Sequence, residues 1–67
     1  MTRRIVLNGT ETEIRAERLD GALDELGYAS AIVATALNGT FIPRASRAET
    51  VLSDGDQLEV VAPLQGG

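Results

Sequence analysis

The chain contains no cysteine, no histidine, no lysine and no tryptophan. Without cysteine it has neither a disulfide staple nor a thiol of its own, which fits a reducing compartment. Without histidine it lacks the usual general base and the commonest metal ligand. Without lysine it has no Schiff-base nucleophile and no internal site for isopeptide chain building. An inventory this bare argues against an enzyme in its own right. All six basic residues are arginines: Arg3, Arg4, Arg15, Arg18, Arg44 and Arg47. The net charge of −4 leaves no basic stripe for phosphate neutralisation, so a nucleic-acid partner is not expected. No apolar run approaches the ~20 residues of a membrane span. The basic start, Met1 to Arg4, precedes an apolar run too short for a signal peptide, and the expected location is cytoplasmic.

What is present fits one small domain: 67 residues give room for one core. Arg3 to Asn8 reads as a strand around Ile5, Val6 and Leu7. Asn8-Gly9 follows, a two-residue hairpin signal. Thr10 to Arg15 then alternates, with Thr10, Thr12 and Ile14 on one face and Glu11, Glu13 and Arg15 on the other. That period of two marks a strand with one wet side. From Arg18 the period changes: Leu19, Ala22, Leu23 and Leu26 form one stripe of an α-helix. Gly21 in mid-helix points to close packing or tolerance, and Gly27 is placed to end the helix. So short a helix must lie on a sheet to be stable.

Ala31 to Leu37, rich in β-branched residues, reads as a buried strand. Asn38-Gly39 repeats the hairpin chemistry, and Thr40 to Ile42 forms a return strand that Pro43 cuts off. Arg44 to Thr50 is polar, with one helical turn expected near Ser46 to Glu49, and Val51-Leu52 is expected to plug the core. Asp54-Gly55-Asp56 is a turn, and Gln57 to Ala62 alternates again until Pro63. The economical packing is α+β: one helix across one face of a four- or five-stranded mixed sheet, the last strand parallel to the first. That is the β-grasp, or ubiquitin-like, architecture. The expected organisation is a domain over residues 1–62 and a flexible tail over 63–67.

The tail ends Leu64-Gln65-Gly66-Gly67. Two glycines make a narrow tip that can thread a channel too tight for side chains. The terminal carboxylate is ionised at neutral pH. It is a poor electrophile as it stands, and becomes an acyl donor once adenylated.

Four stretches in order carry a resemblance: Ala36-Leu37-Asn38-Gly39-Thr40-Phe41-Ile42-Pro43-Arg44, Ala48-Glu49-Thr50-Val51-Leu52, Asp54-Gly55-Asp56, and Gly66-Gly67. Together they resemble the thiamine-biosynthesis sulfur carriers of the ThiS/MoaD ubiquitin-like family. The resemblance spans the whole chain and is densest in its C-terminal half; Gly21 departs from the helix former more usual there. It implies that an E1-like adenylyltransferase of the ThiF type, using ATP and magnesium, activates the carboxylate of Gly67. A cysteine desulfurase or persulfide relay then supplies sulfur, leaving a thiocarboxylate. Thiazole synthase of the ThiG type takes that sulfur into the thiazole ring. The carrier itself holds no cofactor and no metal, and needs no catalytic residue.

The site residues follow. Gly67 carries the sulfur, and Gly66 must stay bare for the tail to enter a partner's channel. If the helix covers the face bearing Leu58 and Val60, Val61 points to the open face. Phe41, Val61 and Leu64 are then candidates for a partner interface. Asp54 and Asp56 are read as turn residues rather than metal ligands, and Arg44 as solvated. Other readings stay open: a molybdopterin-synthase small subunit, a ubiquitin-like modifier conjugated through Gly67, or a binding module with an incidental Gly-Gly end.

Overall fold

A computed structural model describes residues 1–62 of the chain. Strand β1 (Arg3–Leu7) turns at Asn8-Gly9 into antiparallel β2 (Thr10–Ile14). Helix α1 (Leu19–Glu25) follows, then the hairpin β3 (Ala34–Leu37) and β4 (Thr40–Ile42). A 3₁₀ helix (Arg44–Glu49) crosses over to β5 (Gln57–Val61). The five strands form one sheet in the order β2-β1-β5-β3-β4. The last strand thus inserts at the centre, parallel to β1 and antiparallel to β3. This is the β-grasp arrangement. Both Asn-Gly turns have positive φ at each residue, 49° and 86° at the first and 51° and 84° at the second. That is the conformation whose twist matches a two-residue hairpin.

The core lies between α1 and one sheet face. Ile5, Ile14, Leu19, Ala22, Leu23, Leu52, Leu58 and Val60 are buried in a single cluster. Leu7, Leu26 and Tyr28 pack against it, half-buried. A helix of seven residues cannot hold itself, and both of its ends are tied from outside. No side chain caps its start; instead the Leu19 N–H donates to the Thr50 carbonyl at 2.9 Å. At its end, Tyr28 N–H reaches the Leu23 carbonyl at 2.7 Å and Gly27 N–H reaches that of Asp24 at 3.2 Å. Those bonds, with Gly27 at φ 94°, are a Schellman motif. The Glu25 carboxylate accepts from the backbone N–H groups of Arg15 and Ala16, holding the β2–α1 loop against the helix. Gly21 is a close-packed position: a Cβ there would sit 3.3 Å from that of Ala16.

Two expectations fail. The strand expected from Ala31 begins only at Ala34, and Ile32 is 77% exposed. The reason is register. Ala34 faces Val61, the last residue of β5, so nothing earlier than Ala34 has a ladder partner. The Val33 carbonyl instead accepts from the Arg47 guanidinium at 2.7 Å. Val51 is exposed, and only Leu52 enters the core. Val51 bridges Arg18 in extended backbone, where neighbouring side chains point to opposite sides. The helical turn near Ser46 to Glu49 is present as the longer 3₁₀ helix. No helix among the described residues is long and apolar enough to cross a membrane.

Candidate functional site

Gly66, Gly67 and Leu64 lie outside the described residues, so the structure places the site's foundation rather than its tip. That foundation is β5. It is hydrogen-bonded on both sides, and its alternation decides which residues face the helix. Leu58 and Val60 point into the core, while Gln57, Glu59 and Val61 lie on the opposite, open face. Val61 is its last strand residue and is 59% exposed.

The pairing carries that face across the sheet. Ala34 stands opposite Val61, and Ala36 lies between Glu59 on one side and Phe41 on the other. Phe41 is 64% exposed, although it is the chain's only phenylalanine. Phe41 and Val61 therefore share one face, two strand spacings apart and offset by two residues along the strands, or roughly 12 Å. Small Ala34 and Ala36 form the floor between them. On β1 and β2 the same face carries Arg4, Val6, Glu11 and Glu13. The result is an apolar strip next to the end of β5 with carboxylates along it.

Both carboxylates of the acidic turn before β5 are engaged within the fold. Asp56 accepts from Ser53 N–H at 2.8 Å through one oxygen and from the Asn38 amide at 3.0 Å through the other. Asp54 accepts from Arg4 N–H at 2.9 Å. Both are turn residues, as their spacing suggests. Among the described residues, no three of His, Cys, Asp and Glu come together in a way that could hold a metal. Arg44 is exposed at the rim of a groove of about 250 Å³ between α1 and the 3₁₀ helix. Arg47 in the same groove is structural: its Nε donates to the buried Thr35 hydroxyl at 3.2 Å, and that hydroxyl donates to the Ile42 carbonyl at 2.9 Å.

Sequence reasoning treats Asn8 and Asn38 as turn formers and nothing more. The structure gives both side chains a second task, each binding the backbone of β5. Asn8 Oδ1 accepts from Val60 N–H at 2.9 Å and its Nδ2 donates to the Val60 carbonyl at 3.1 Å. Asn38 Oδ1 accepts from Gln57 N–H at 2.9 Å. Aspartate forms the same turn but cannot donate, so asparagine at both positions was the available signal.

Comparison with known proteins agrees with this fold. The model of the ThiS family matches residues 5–67. A thiazole synthase of Paramagnetospirillum magneticum (strain ATCC 700264 / AMB-1) is 38% identical over 65 residues, covering 96% of this chain. The chain spans only 20% of the length of that relative. The crystal structure of the thiamine biosynthesis protein ThiS from Geobacter metallireducens matches with a TM-score of 0.81 and 29% identity. That match covers 96% of this chain and 99% of the other. With the family model spanning β1 to the Gly-Gly end, this chain belongs to the ThiS family.

Proposed function

We propose that the chain is a sulfur carrier in thiamine biosynthesis, with Gly67 as its acyl group. The family match over residues 5–67, which includes Gly66-Gly67, carries the reading. In the proposed cycle the Gly67 carboxylate attacks the α-phosphorus of ATP on a ThiF-type adenylyltransferase with magnesium, and pyrophosphate leaves. A persulfide sulfur then attacks the acyl carbon and expels AMP. Reduction of the resulting S–S bond by a thiol leaves the thiocarboxylate. The chain supplies the acyl group and its placement; the partners supply the catalytic groups, so the chain is a carrier rather than a catalyst. The relative bearing the name thiazole synthase supports a ThiG-type acceptor, and so favours thiazole over a pterin as destination.

The test is an intact mass spectrum of the protein from its native source. The expected species is the chain ending at Gly67 with one oxygen replaced by sulfur. Finding only the unmodified carboxylate in thiamine-starved cells, beside an active adenylyltransferase, would contradict the reading.

The open face is proposed as the surface on which the adenylyltransferase docks, with Leu64 joining Phe41 and Val61. Phe41→Asp is expected to raise KM for the carrier about tenfold, or ~1.4 kcal/mol, by putting a charge at the centre of an apolar contact. The free energy of unfolding is expected to stay within about 0.5 kcal/mol of wild type, because Phe41 is outside the core. An unchanged KM would place the docking surface elsewhere.

A further inference from the structure

We infer that Asn8 is a positioning residue for the acyl group, acting through β5; the inference rests on the carrier reading. Parallel pairing of β1 with β5 runs through Val6 N–H to the Asp56 carbonyl and Asn8 N–H to the Leu58 carbonyl, both at 2.9 Å. A regular parallel ladder would continue from Val60 N–H to the Asn8 backbone carbonyl, and from the N–H of residue 10 to the Val60 carbonyl. The chain instead reverses at Asn8-Gly9. The Asn8 side-chain amide takes the place of the missing peptide. It accepts from Val60 N–H at 2.9 Å and donates to the Val60 carbonyl at 3.1 Å, so one side chain makes both bonds that two backbone residues would share in a parallel ladder. The β1 side of β5 is thereby held one rung farther than backbone alone allows.

This rung has a particular place. Val60 is next to the last strand residue, Val61, and every residue up to Gly67 takes its starting direction from there. Asn38 gives an internal comparison. Its turn has nearly the same φ, and its side chain also binds β5, but at Gln57, where the strand begins. Two equivalent turn residues therefore clamp opposite ends of one strand, and only Asn8 clamps the end that leads to Gly67. Losing the Asn8 amide frees the last rung on one side. A reacting group displaced by about 1 Å can lose ~100-fold in rate, so once a partner holds the tail extended, a loosened start at Val60 is enough to matter.

The experiment compares Asn8→Gly and Asn38→Gly with wild type. Glycine keeps the positive-φ turn in both; it deletes the clamp at position 8, and at position 38 it deletes the clamp and the amide bond to Asp56. With the cognate adenylyltransferase, ATP and magnesium, Asn8→Gly is expected to lose about tenfold or more in kcat, with KM within about twofold because the docking face is untouched. Asn38→Gly is expected to keep both near wild type. Hydrogen exchange reads the clamp without any enzyme: the Val60 amide is expected to exchange at least about tenfold faster in Asn8→Gly, with the core amides of α1 unchanged. Asn8→Asp keeps the acceptor and loses the donor, and is expected to fall between wild type and glycine; it serves if the glycine variant folds poorly. Equal kcat losses in the two glycine variants, or a normal kcat in Asn8→Gly, would overturn the inference and leave the carrier reading standing. A wild-type protein that is not adenylated at all would overturn both.

Discussion

Deleting Gly67 is expected to reduce pyrophosphate release by the cognate adenylyltransferase at least ~100-fold. The deletion draws the carboxylate back by one residue, up to ~3.3–3.6 Å along an extended chain. Misplacement by about 1 Å is already costly at a reacting centre. The shortfall cannot be recovered by sliding the strand that carries the tail. β5 is registered against β1 at Gln57 and Leu58 and against β3 from Leu58 to Val61. A slip of one residue would turn Leu58 and Val60 out of the core and bring Glu59 and Val61 in. Gly66→Val is expected to fail as well, since a β-branched side chain widens and stiffens the tip. Asp54→Ala and Arg44→Ala serve as controls and are expected to turn over near the wild-type rate. Asp54 accepts from the Arg4 N–H near the start of β1, and Arg44 is solvated. The measurement is pyrophosphate release for these variants beside wild type. Normal turnover by the deletion would make the tail incidental and end the carrier reading.

Much of this arrangement is legible in the sequence because local chemistry and global pairing agree. Asn8-Gly9 and Asn38-Gly39 specify hairpins, and both are found at the positive φ such turns demand. The stripe of Leu19, Ala22 and Leu23 specifies a helix face, and all three are buried. The alternation of Gln57 to Val61 reads correctly because one face of β5 is core and the other is not. The failures occur where neighbours decide. Ile32 belongs to an apolar, β-branched run, yet β5 ends too soon to pair with it. Val51 and Leu52 are equally apolar, and only the path of the crossover past Arg18 selects Leu52. The Asn8 clamp joins residues 52 apart in sequence, and no local pattern records such a contact. The open face is a mixed case. Val61 faces it as the alternation of β5 implies, while Phe41, Ala34 and Ala36 join it through the β3 register.

Leu23→Ala is expected to cost ~2–5 kcal/mol, the range for truncating a buried leucine. Against the roughly 3–10 kcal/mol available to a chain of this length, that is a large share. Leu23 is 5% exposed and belongs to the cluster that includes Ile5, Leu58 and Val60. Its neighbours have little room to collapse into the void. The helix above them is tied at its start to Thr50 and at its last turn to the β2–α1 loop, where Glu25 accepts from Arg15 and Ala16 N–H. Closing the cavity would mean drawing α1 toward the sheet and straining both ties, so most of the cavity is expected to remain. Urea unfolding checks this: the midpoint is expected to fall steeply with the slope unchanged, since the native surface stays the same. Ile32→Ala is the matched comparison, an aliphatic side chain truncated where it is 77% exposed. It is expected to shift stability by less than about 0.5 kcal/mol. If the two substitutions lower the midpoint equally, Leu23 is not in the core and the packing of α1 on the sheet is wrong.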